Sequence, residues 1–181
     1  MSRRSLLFCT IAAVAAGVLS IVAWDVLKLT RKAPPLAPPD QRASMVIVEK
    51  QARRLMLLRD GKPLATYAMS LGGDPVGHKQ REGDGRTPEG VYAIDFKHPR
   101  SRFHLAMHIS YPNAGDRDSA QRRGVSPGGD IMIHGLPNGL GWLGGLHRSR
   151  DWTDGCIAVT NEQIEEIWAL VDVGTTVEIR P

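Results

Sequence analysis

Apolar and polar positions change their period several times along the chain, and each change marks an element. Met45 to Glu49 (MVIVE) and Leu55 to Arg59 are short apolar or β-branched runs, and Asp60-Gly61 behind them is a hairpin-turn pair. Leu64 to Leu71 reads as a third strand, stopped by Gly72-Gly73. A polar stretch from Asp74 to Arg86 precedes Thr87-Pro88-Glu89-Gly90, and Val91 to Phe96 resumes a strand. From Phe103 to Tyr111 the alternation is clean. Phe103, Leu105, Met107, Ile109 and Tyr111 share one face, and His104, Ala106, His108 and Ser110 the other, as in a half-buried strand. The polar segment from Pro112 to Asp130 reads as a long loop, of the length that functional lids have.

Ile131-Met132-Ile133 is a short buried strand that delivers His134 at its end. A glycine-rich loop from Gly135 to Asp151 carries Trp142 and His147, and Trp152-Thr153-Asp154-Gly155-Cys156 leads into Ile157-Ala158-Val159. The period then changes to that of a helix. Thr160 with Gln163 forms a capping box, and Ile164, Ile167, Trp168 and Val171 recur on one face of a helix over Glu162 to Val171. Gly174 ends that region and Thr176 to Ile179 gives a closing strand. The sum is a mainly β, mainly antiparallel domain with one clear helix and two long loops near the Cys–His region.

The N-terminus follows a different pattern. Arg3 and Arg4 precede an uncharged apolar run from Leu6 to Trp24, the layout of an export signal. The run exceeds a typical signal core of about 7–15 residues and approaches the roughly 20 that span a bilayer. An uncleaved anchor is therefore favoured over removal at Ala13-Val14-Ala15, and either way the domain is expected outside the inner membrane, in the periplasm. Ala33 to Pro39 (APPLAPP) reads as an extended spacer. The organisation expected is a signal or anchor over 1–28, a Pro-rich linker over 29–44 and one folded domain over 45–181. A net charge of +4 and a pI near 9.3 suit anionic surroundings such as a wall polymer or membrane surface. No basic helix or aromatic-rich strand points to nucleic acid.

Cysteine usage narrows the chemistry. Cys9 lies in the export segment, so Cys156 is the only thiol of the mature domain. A buried Cys can be a mere small hydrophobe, but in an oxidising compartment an unpaired thiol needs a reason to persist. A thiol reacts as thiolate, so it needs a base and N–H groups for the developing oxyanion. His134 ends one strand and Cys156 opens another, so adjacent strands would bring them together. Gly155 lets the backbone turn tightly, and the Cys156 N–H with that of Gly155 or Asp154 could form an oxyanion hole. Gly135 offers a carbonyl able to hold the imidazole in its working tautomer, in place of the usual triad acid.

These residues resemble the YkuD-type L,D-transpeptidase family. Its pattern, a His-Gly at a strand end followed by [Ser/Thr]-x-Gly-Cys-[Ile/Val], is matched by Ile133-His134-Gly135 and Thr153-Asp154-Gly155-Cys156-Ile157. A further family element, Thr-Pro-x-Gly before a strand, is present as Thr87-Pro88-Glu89-Gly90. The string Asp151-Trp152-Thr153-Asp154-Gly155-Cys156-Ile157-Ala158 is similar to the YafK-like proteobacterial branch. The resemblance implies a β-sandwich-like L,D-transpeptidase catalytic domain with short helices, acting in cell-wall biogenesis and cell shape without metal or organic cofactor. It implies Cys156 as nucleophile on a peptidoglycan stem tetrapeptide and His134 as base. A thioester would then pass to an amine, on another stem or on a lipoprotein lysine. Trp142, His147, Thr153 and Asp154 are the substrate-loop candidates.

Two positions depart from the family. A His or Arg commonly stands two before the Cys and an Arg two after it, where this chain has Asp154 and Ala158. The acyl acceptor therefore stays open, and with water the same site would be an L,D-carboxypeptidase or an amidase that detaches lipoproteins. A zinc hydrolase using His104, His108, His134, His147 and Cys156 is a rival of another class, though no HExxH or paired CxxC spacing supports it.

Overall fold

The computed structural model describes residues 33–181. Eight strands follow in chain order: β1 (Met45–Glu49), β2 (Arg54–Arg59), β3 (Lys62–Ala68), β4 (Gly90–Ser101), β5 (His104–Ile109), β6 (Met132–His134), β7 (Ile157–Ala158) and β8 (Thr176–Arg180). Two α-helices lie between them, α1 (Ala114–Arg122) after β5 and α2 (Asn161–Leu170) after β7. The strand order is β3-β2-β1-β8-β4-β5-β6-β7. The β2–β3 turn has positive φ at both Asp60 (50°) and Gly61 (75°), the backbone that a two-residue hairpin of matching twist requires.

Two features set the shape. Long β4 pairs with β8 through Gly90–Ala93 and with β5 from Ile94 onward, so one strand serves both halves of the sheet. The far ends then meet. Ser70, just past β3, forms an antiparallel bridge with Ala158 of β7, through Ser70 N–H to Ala158 O and Ala158 N–H to Ser70 O, both 2.9 Å. The sandwich-like expectation is thus realised as one strand series folded over and bridged at its edges. Val46, Val48, Leu55 and Leu57 from one half join Leu105, Met107, Ile133 and Ile157 from the other in a single core. Each such side chain contributes roughly 1.5–3 kcal/mol by leaving water.

Several expectations need revision. The closing strand β8 is central, parallel to β1 and antiparallel to β4, and β6–β7 is also parallel. The supposed loop from Pro112 contains α1, whose capping box joins Asn113 and Asp116. Only Asp116 and Ala120 of that helix are buried, so it has almost no apolar stripe to betray it. The spacer is not free chain up to Met45 either. Ala37 and Ala43 donate backbone hydrogen bonds to Ala169 O and Leu170 O at the end of α2, and Arg42 pairs with Asp172 at 2.8 Å. The segment expected to direct export lies outside the described residues, among which no helix is long and apolar enough to cross a membrane.

Candidate active site

Strands β6 and β7 run parallel, with Ile133 opposite Ile157 and His134 opposite Ala158. Residues two apart share a face, so Cys156, just before β7, falls on the side of the sheet that His134 occupies. The His134 ring is 3% exposed, 4.5 Å between centroids from Phe103 and 5.8 Å from Trp152. Its Nδ1 lies 2.7 Å from Gly135 O. A carbonyl can only accept, so Nδ1 carries the proton and the Nε2 lone pair is left as the basic site.

Burial dominates the electrostatics of both groups. It lowers the His134 pKa to about 4, against the opposing Gly135 hydrogen bond. It pushes the Cys156 thiol up to about 11; Asp154 and Asp130 add to the rise, while a Met132 backbone hydrogen bond and Lys79 oppose it. The resting pair at neutral pH is therefore thiol and imidazole, with the thiol 3.4 Å from Asp130 O. Such a pair transfers its proton as substrate is attacked rather than holding a thiolate in advance.

Close packing explains both site glycines. A Cβ on Gly135 would meet Asn161 Oδ1 at 2.7 Å and Ile164 Cγ2 at 3.0 Å, so the His-Gly turn sits directly against the start of α2. That helix starts where it does because Thr160 and Gln163 cap it reciprocally. Asn161 Oδ1 also accepts the Leu136 N–H at 2.8 Å. Gly155 has φ +125°, and a Cβ there would lie 2.5 Å from Arg86 O. Only glycine satisfies both the conformation and the space.

The substrate-loop candidates separate. Thr153 is buried and braces the turn: its Oγ1 donates to Cys156 O at 2.8 Å and accepts the Gly155 N–H at 3.2 Å. The Gly155 N–H is thereby spent. This narrows the expected oxyanion donors to Cys156 and Asp154, whose N–H groups meet no protein acceptor among the described residues. Asp154 is exposed. Trp142 is 76% exposed, on the 3-10 stretch Gly141–Ser149. His147 is buried, facing Trp152 and Ser70. Ala158 is fully buried where β7 meets both β6 and Ser70.

Sequence reasoning passed over Phe103 and Trp152 as walls of the base, although Trp152 stands within the motif string. It also read Lys79 and Asp84 as loop polarity. Lys79 is buried and acts on the thiol, and it pairs at 2.8 Å with the part-buried Asp84. The histidines of the zinc reading are dispersed, His104 on Glu165 at 2.7 Å and His108 on Asp95 at 2.6 Å. Among the described residues no group of three or more His, Cys, Asp or Glu could hold a metal ion.

Comparison with known proteins agrees with this layout. YafK of Escherichia coli strain K12 is 33% identical over 110 residues, 60% of this chain and 37% of that protein. The chain thus spans little more than a third of the length of that relative. The helical cell shape determining protein Pgp2 of Campylobacter jejuni superposes with a TM-score of 0.57 at 27% identity, covering 84% of this chain and 52% of that one. The L,D-transpeptidase from Mycobacterium smegmatis shares the fold, with a TM-score of 0.51 at 16% identity over 76% of this chain and 58% of its own. The family model of the YkuD L,D-transpeptidase catalytic domain matches residues 43–179, and the chain belongs to that family.

Proposed function

We propose that the protein is a periplasmic cell-wall L,D-transpeptidase, held at the inner membrane by residues 6–24. The observation that carries this is the lock of His134 Nδ1 on Gly135 O, one strand from Cys156. It leaves a base with one free lone pair beside the only thiol of the domain. Cys156 Sγ attacks the carbonyl carbon of the L-centre before the terminal D-alanine of a stem tetrapeptide, and His134 Nε2 takes the thiol proton. The N–H groups of Cys156 and Asp154 receive the oxyanion. As the amide C–N bond breaks, His134 returns the proton to the departing amine. D-alanine leaves and a thioester remains. An amine from another stem or a lipoprotein lysine then attacks the thioester, His134 takes its proton, and the sulfur leaves as thiol.

Asp154 and the buried Ala158 stand where family members commonly carry cations, so the acceptor is the least constrained part of this reading. Incubating the full chain with disaccharide tetrapeptides and with lipoprotein-bearing sacculi separates the outcomes. New cross-links identify the transferase, tripeptides alone a carboxypeptidase, and freed lipoprotein an amidase. Cys156→Ala is expected to abolish all three while leaving the circular-dichroism spectrum unchanged, and retained turnover would falsify the assignment of the nucleophile.

A further inference from the structure

His147 is the other deeply buried imidazole of the domain, and the reaction above gives it nothing to do. It is 7% exposed, on the glycine-rich stretch between His134 and Cys156. The Trp152 indole N–H points at its Nδ1 across 3.4 Å, with the two rings nearly perpendicular at 88°. An indole nitrogen can only donate, so Nδ1 is the acceptor and the neutral ring carries its proton on Nε2. That Nε2–H is buried and has no partner among the described residues. A buried unsatisfied donor costs about 1–3 kcal/mol, which an apolar residue at this position would avoid. The Nδ1 lone pair is the feature of His147 that a leucine would lack.

What that lone pair holds is the wall of the base. Trp152 meets the His134 ring edge-on at 5.8 Å and Phe103 at 6.3 Å, so the three rings pack around one another. Ser70, the residue bridged to Ala158 at the closing edge, has its hydroxyl 3.3 Å from the same Nδ1 and 3.4 Å from His147 O. His147 is thereby fixed from the sheet side and Trp152 from the His147 side.

We propose that His147 is a positioning residue for the base: by accepting the Trp152 indole N–H it holds that ring against His134. The proposal rests on reading His134 and Cys156 as base and nucleophile. It differs from a purely packing role in depending on a hydrogen-bond acceptor at the Nδ1 position. Asparagine places its Oδ1 close to that position, and leucine fills the volume without it.

The test is the first-turnover rate at which the full chain forms a thioester with a disaccharide tetrapeptide, followed by intact mass. His147→Leu is expected to slow acylation about tenfold at saturating substrate, the scale of a misplaced catalytic group, with little change in KM. His147→Asn should return the rate to within about twofold of the parent. Trp152→Phe should reproduce the leucine loss, and the double variant should add nothing to it. A parent-like rate in His147→Leu overturns the proposal. So does an equal loss in folded His147→Asn, because packing alone would then account for the effect. Should His147→Leu fail to fold, Trp152→Phe decides, and a parent-like rate there overturns it. His134→Ala separates the two levels. An unchanged rate in that variant removes the base itself, whereas its collapse beside an unaffected His147→Leu removes only the role of His147.

Discussion

Two long segments frame Cys156, and they are held by different means. Residues 72–89 are fastened by buried charge. Lys50 Nζ reaches Gly77 O at 2.6 Å, Thr87 O at 2.9 Å and Glu89 Oε1 at 2.8 Å, while Lys79 pairs with Asp84, whose other oxygen takes the Gln80 and Arg81 N–H groups. Residues 137–152 are fastened at their root by rings and by Asp151, which pairs with Arg53 at 2.7 Å and accepts the Leu71 N–H at 2.8 Å, and they hold out Trp142 and Leu146, 76% and 71% exposed. The first segment also meets the turn that follows the second, where a Cβ on Gly155 would lie 2.5 Å from Arg86 O. Directional bonds to buried ammonium groups run along the first segment, whereas rings and the Asp151 pair hold only the root of the second. One wall beside Cys156 is therefore bonded throughout, and the other leaves its tip open to solvent.

The sharpest way to break this contrast is Lys79→Met, which leaves the part-buried Asp84 without its cation. It should cost about 3 kcal/mol and lower Tm by roughly 10 °C in a calorimetric scan; a near-parent Tm would deny the first segment its charge-based rigidity. Acid should act on the other segment. Burial lowers the His147 pKa to about 4, helped by Arg148 and His134, and it lowers the neighbouring His134 likewise. The unfolded chain takes up these protons first, so this stability is whole above pH 6.5 and is lost as pH falls from there towards 4. Burial alone would raise Asp84, but Lys79 and the Gln80, Arg81 and Arg86 N–H groups hold it down to about 2. Its contribution lasts until pH falls below the ordinary carboxylate range. Hydrogen-exchange protection, corrected for intrinsic rates, should therefore fall in 137–152 before 72–89 between pH 7 and 4.5, and the reverse order would invert the comparison.

The legible parts of this molecule were those whose signal is local. Alternation from Phe103 to Tyr111 announced β5, Asp60-Gly61 the turn between β2 and β3, and Thr160 with Gln163 the start of α2. Helix α1 escaped because AGDRDSAQR lacks an apolar stripe; only the pairing of Asn113 with Asp116 marked it. Lys50, Lys79 and Asp84 escaped for a different reason. Lys50 is enclosed by Gly77, Thr87 and Glu89, far along the chain, and a charged residue in a polar run carries no sign of such enclosure. At the site, Cys156, His134 and the two glycines stood out by motif, whereas the spending of the Gly155 N–H on Thr153 is visible only in three dimensions.

Smaller effects should refine the second segment. Trp142→Ala is expected to leave the unfolding free energy within about 0.5 kcal/mol of the parent while raising KM for disaccharide tetrapeptides about two- to tenfold, the worth of an aromatic contact. An unchanged KM would mean that the exposed tip never meets substrate. Smallest is Asp154→Asn. Since Asp154 adds to the rise in the thiol pKa, its neutralisation should move the alkylation-versus-pH curve of Cys156 slightly downward, and less at high salt because the carboxylate is exposed. A curve that does not move would free the thiol from the rim of this turn.

The bridge between Ser70 and Ala158 has a temporal meaning. It joins positions far apart in sequence, so its loop-closure entropy must be met before the contact returns anything, and pairings of that kind form late. Ala158 lies two residues beyond the thiol and opposite His134. The pairing of β7 with β6 sets Cys156 on the face of His134, and the bridge to Ser70 seals the other edge of the same short strand. A folding chain would therefore complete the surroundings of its cysteine only as that last edge is sealed.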